Sequence, residues 1–117
     1  MKAEELVKNS VVVEGHRDVY EALYRRSLGE VHPVHEVVAR RLIQCGVDLC
    51  VYAVCGDSFS HTGDTGRFVE SAYENFDLIR SESERTNGSF KIVLGRDDLP
   101  MAPEPRITRL LLHFEGG

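Results

Sequence analysis

No apolar run in this 117-residue chain approaches the roughly 20 residues needed to cross a bilayer, so no transmembrane helix is expected. The amino terminus, Met1-Lys2-Ala3-Glu4-Glu5, lacks the charged-then-apolar layout of a secretory signal. Basic runs are also missing. No basic group exceeds an Arg-Arg pair such as Arg40-Arg41, and 14 Lys+Arg against 19 Asp+Glu leave a net charge of −5. That balance argues against a general nucleic-acid binder, which neutralises several phosphates with a basic patch. Cysteine is scarce: Cys45, Cys50 and Cys55 are odd in number and fit neither a CxxC metal knuckle nor a paired disulfide framework. They read as buried, reduced thiols. On these grounds the chain is expected to be soluble and cytoplasmic, with neither a membrane nor a nucleic acid as partner.

What is present is the composition of a globular domain, 42% hydrophobic and 28% charged. Ala3 to Asn9 reads as a short amphipathic helix, and Val11-Val12-Val13 as a buried first strand ending near Glu14-Gly15-His16. Val19 to Leu28 has an irregular helical pattern. Pro33, followed by Val34, Val37, Val38, Leu42 and Ile43 on one stripe, predicts a helix stopped by Gly46. Val47 to Cys55 reads as a strand buried on both faces. The Gly56–Gly66 stretch, rich in turn formers, predicts a loop.

Phe68, Ala72, Phe76 and Ile79 recur at helical spacing, and the Asn87-Gly88 pair ends that helix. Phe90 to Leu94 is expected as a short strand and Ile107 to Phe114 as the last one, separated by a proline-punctuated connection from Asp97 to Pro105. Strands alternating with helices predict an α/β fold with a mainly parallel sheet. The chain stops at Glu115-Gly116-Gly117, straight after an apolar strand with no following helix to cover it. Residues 1–117 are therefore expected to form a single partial domain, with sheet edges that favour self-association or a complementary fragment.

Two strand ends carry chemistry. Alternation along Val13-Glu14-Gly15-His16-Arg17-Asp18 puts His16 and Asp18 on one side and Arg17 on the other. An HxD pair at the C-terminal end of a parallel strand offers one nitrogen and one oxygen to a divalent cation. Glu115, followed by two glycines, is either a site residue or a solvated cap.

Together, Glu14-Gly15-His16-Arg17-Asp18, the strand opening at Cys45-Gly46-Val47, Asp98-Leu99 and Glu115-Gly116-Gly117 resemble the membrane dipeptidase (renal dipeptidase) family of binuclear zinc enzymes. Glu14 stands where that family usually has Asp. The resemblance implies the N-terminal half of a (β/α)8 TIM-type barrel that hydrolyses small dipeptides in its complete form. It also implies metal ligation by His16 and Asp18, with Glu115 bridging two zinc ions. The family's remaining histidine ligands and catalytic aspartate lie in later strands. The chain alone is therefore expected to be inactive and to bind zinc weakly or not at all.

Pro33 splits His32 from His35, which argues against a chelating HxxH pair. His61 in the predicted loop is either a substrate contact or solvated, and His113 either supports the ligands or packs inside the barrel. The rival reading is a noncatalytic α/β module that binds a protein partner through the Gly56–Gly66 loop or an exposed sheet edge.

Overall fold

The computed structural model describes residues 1–55 and 68–115, so the predicted Gly56–Gly66 loop and His61 lie outside the described residues. Its elements are α1 (Ala3–Lys8), β1 (Val13–Asp18), α2 (Tyr20–Ser27), α3 (Val34–Ala39 continuing as Arg40–Gln44), β2 (Leu49–Cys55), α4 (Phe68–Arg85), β3 (Phe90–Ile92) and β4 (Thr108–Glu115). The four strands form one all-parallel sheet in the order β1-β2-β4-β3. The α/β class is as expected.

One face of the sheet carries the core. Cys50, Tyr52 and Val54 alternate along β2 and join Leu110 of β4 and Phe90 of β3 in one apolar cluster. The same cluster takes in Ala22 of α2, Val38 and Leu42 of α3, and Ala72 and Ile79 of α4. The residues between them on the strands, Leu49, Val51, Ala53, Arg109, Leu111 and His113, fall on the opposite face and outside that cluster. There Leu49, Ala53 and Arg109 are buried, whereas Leu111 and Val13 are exposed. A parallel sheet ordinarily buries both faces, so the second face is the feature that sets this sheet apart.

The first strand differs from the expectation in position and burial. It starts at Val13, runs to Asp18, and lies at the sheet edge, which leaves Val11 and Val13 exposed rather than buried. A β-branched run suits a strand, yet an edge strand needs only one packed face. Within β2, Cys50, Tyr52, Ala53 and Val54 are buried, whereas Val51 on the open face is only partly so. Cys45 also departs from the buried-thiol expectation, because it caps the C-terminus of α3 and is exposed; Cys50 is buried. Burial pushes the Cys50 thiol pKa up to about 12.

Local chemistry explains the joints. Gly46 adopts φ +71 after α3, a left-handed conformation, and a Cβ there would stand 3.0 Å from Val7 Cγ1 of α1. Asn87 and Gly88, both at positive φ, end α4 as expected. At the N-terminal end of the sheet Asp48 is buried, and its two oxygens accept the Val12 and Glu104 N–H groups, each at 2.9 Å. That carboxylate ties the approach to β1, the start of β2 and the loop before β4. Glu82 of α4, also buried, accepts the His35 N–H at 2.9 Å and so caps α3, whose first segment is wound as a π-helix. Burial holds the Glu82 carboxyl above its usual range, against the pull of the backbone N–H groups at His35 and Val34.

Candidate metal centre

Strict alternation along β1 would defeat the site. Glu14 stands opposite Cys50, on the helix-covered face, and counting in twos from it would carry His16 and Asp18 to that same face. The pairing instead slips: Glu14 faces Cys50 but Arg17 faces Tyr52, so three steps on β1 match two on β2. This is a β-bulge, and it returns Asp18 to the open face, opposite Ala53. Arg17 goes to the helix side with Glu14, and the two form an ion pair with Arg17 Nε 2.7 Å from Glu14 Oε1. Glycine at position 15 is the signal in the sequence, since an isolated strand glycine often marks a bulge.

Asp18, Ala53 and His113 then lie in one register row across β1, β2 and β4. Strands one apart in a sheet are about 4.8 Å from each other, so β1 and β4 are separated by about twice that. Ala53, the β2 residue of that row, is small and leaves space between Asp18 and His113. His16 Nε2 lies 3.3 Å from Asp18 Oδ1 and 3.7 Å from Glu115 Oε2. Donor atoms of all three residues fall within 4.8 Å of one another. Their side chains are 49%, 41% and 54% exposed for His16, Asp18 and Glu115, so solvent reaches the cluster.

The three residues singled out in the sequence are therefore brought together at the C-terminal ends of parallel strands. One imidazole and two carboxylates are a donor set suited to zinc and to similar divalent ions. The other histidines are placed differently. His35 Nδ1 is hydrogen-bonded to Ser89 Oγ and its Nε2 lies 3.4 Å from Glu36 Oε1, while His32 Nδ1 is buried without a hydrogen-bond partner. Asp98 sits apart from the cluster: its Oδ2 accepts the Leu94 and Gly95 N–H groups at 2.8 and 2.9 Å and holds a short turn.

His113, which the sequence leaves as either a support for the ligands or a residue packed inside the barrel, lies on Glu115's face. Its ring packs against that of His16, with centroids 5.6 Å apart and planes tilted by 60°. Its Nε2 is buried and has no hydrogen-bond partner. Among the described residues no helix is long and apolar enough to cross a membrane. Compared with protein-family models, curated proteins and solved structures, the chain gives no match.

Proposed function

We propose that this chain is the N-terminal part of a metallohydrolase barrel of the dipeptidase type, whose complete form hydrolyses small dipeptides at a pair of zinc ions. The observation that carries the reading is the convergence of His16, Asp18 and Glu115 within 4.8 Å at the C-terminal ends of parallel strands. The open sheet face adds support, because a (β/α)8 barrel keeps its helices outside and turns the other face of the sheet inward. In this reading β1, β2 and β4 follow one another as barrel strands, and the three-residue β3 is an excursion at the edge.

Each residue then has a task its position suits. His16 would offer Nε2 and Asp18 Oδ1 to zinc, and Glu115, reaching across β2, would be the third residue to hold it. Zinc ions, when bound there, lower the pKa of a bound water and polarise the scissile carbonyl. Ala53 keeps the space between the outer strands open, and the Glu14–Arg17 pair holds the bulge that turns Asp18 outward. Three donor residues do not fill two coordination spheres, so further ligands and the general acid/base come from a complementary segment or chain. That complement also covers the open face.

The test is metal analysis of protein purified without chelators, paired with a His16→Ala variant. Zinc that co-purifies with the parent and is lost in the variant supports the reading. Equal zinc in both overturns it and favours a noncatalytic binding module; zinc held too weakly to survive purification is read by titration, where uptake by the parent must still exceed that of the variant. Dipeptide hydrolysis by the chain alone is expected to be undetectable, since groups acting as one catalytic unit do not contribute separately.

A further inference from the structure

An imidazole nitrogen that is buried without a partner has lost its water and gained nothing in return. His113 carries such a nitrogen beside the candidate centre. It sits on β4 two residues before Glu115, on the same face, and its ring already touches that of His16 at 5.6 Å between centroids. Two imidazoles bound to one tetrahedral zinc through nitrogens about 2.1 Å from the ion hold their ring centres about 5 Å apart. The His16–His113 spacing is close to that value. His113 is outside the group of donors that lie within 4.8 Å of one another. No hydrogen bond at Nε2 opposes a turn of its ring toward them.

We propose that His113 is a fourth donor to a single divalent ion held by His16, Asp18 and Glu115, so that this chain on its own builds a closed two-histidine, two-carboxylate site. The inference rests on the metal-centre reading above and goes beyond it in one respect. Four protein donors leave no position for a water, which is the arrangement of a structural ion rather than a hydrolytic one. His113 thus keeps the bare chain loaded and chemically silent, and a complementary segment that brings its own ligands would have to displace it.

Cobalt(II) titration of the 117-residue chain tests this, read by visible absorption and by the paramagnetically shifted imidazole N–H signals in the NMR spectrum. The expected result is a four-coordinate spectrum with two ligating imidazoles. In His113→Phe, which keeps a ring against His16 but has no nitrogen, one imidazole signal should vanish and affinity should fall at least about tenfold. The variant should also acquire an open position that accepts added azide. A parent spectrum with one imidazole, or a His113→Phe variant that binds cobalt as tightly as the parent, overturns the role of His113 and leaves the three-donor centre standing. No cobalt binding by the parent overturns both. The imidazole count in the parent decides the matter even if the variant fails to fold.

Discussion

The two ends of the sheet use the same residue types for opposite purposes. At the N-terminal end, the buried Asp48 has each of its oxygens committed to a backbone N–H, one ahead of β1 and one from the loop before β4. At the C-terminal end, Asp18 and Glu115 are roughly half exposed and converge on the imidazole of His16. A carboxylate surrounded by N–H groups is spoken for and holds backbone together. Carboxylates gathered around a histidine from different strands, and reachable by solvent, are placed to receive something from outside.

The sharpest way to break that contrast is to remove one carboxylate from each end. Asp48→Ala removes the acceptor of two part-buried N–H groups and empties a buried position, and an unsatisfied buried group costs about 1–3 kcal/mol, so urea unfolding should show a loss of about 1–3 kcal/mol. Asp48→Asn keeps an acceptor for one of the two and should lose less. Glu115→Gln should change stability by no more than about 0.5 kcal/mol, as expected for an exposed side chain, while abolishing retention of zinc. If Glu115→Gln destabilises as strongly as Asp48→Ala, both ends are structural and the contrast fails.

Ala53 links the two ends, since it belongs to the strand Asp48 anchors and lies beneath the candidate centre. Ala53→Leu forces a branched side chain into a fully buried position and should cost about 1–3 kcal/mol in a thermal or urea melt. The same change should separate His16 from Glu115 and remove metal binding in a chain that still folds. Retained binding would show that the outer strands meet without needing the gap.

Much of the fold was legible because apolar periodicity is a local signal: Val34, Val38 and Leu42 mark α3, and Phe68, Ala72, Phe76 and Ile79 mark α4. The strand order was not, because the place of the three-residue β3 beyond β4 depends on long-range pairing that no local pattern records. Val11 to Val13 misled for a related reason, since a β-branched run looks alike at an edge and in a centre. Within the site, His16, Asp18 and Glu115 were legible as strand-end ligands. What turned them to one face was not: alternation alone would have placed His16 and Asp18 under the helices, and the bulge at Gly15 corrects it. Cys45 was read as buried because cysteine usually is, but a C-cap position faces outward.

A smaller effect separates charge that is tolerated from charge that is needed. Glu82 caps α3 from a buried position, and its carboxyl pKa is raised by that burial. A carboxyl whose folded-state pKa exceeds its unfolded value favours the fold in its protonated form. Its contribution is therefore full below the unfolded pKa and is lost as pH rises through the folded one. Glu82→Gln keeps an oxygen for the His35 N–H without the charge. The variant should melt higher than the parent at neutral pH, and the gap should close as pH falls toward the ordinary carboxylate range. A variant that melts lower at neutral pH would mean that the charge on the cap outweighs its desolvation.

The smallest expected effect concerns thiols, and it sets a buried group against an exposed one. The thiolate is the nucleophile, so reactivity follows exposure and pKa together. Cys45 is exposed at the end of α3, whereas Cys50 is fully buried on the helix-covered face of β2 with its pKa near 12. Alkylation of the native protein with iodoacetamide at mildly alkaline pH, followed by peptide mapping, should label Cys45 within the experiment. Cys50 should remain unlabelled until denaturant is added, at a rate set by opening of the core rather than by reagent concentration. Stability should scarcely change on labelling Cys45, because that thiol is exposed. Equal labelling of the two thiols in the native state would show that the face carrying Tyr52, Phe90 and Leu110 opens readily, and the distinction between a packed face and an open one would then have to be redrawn.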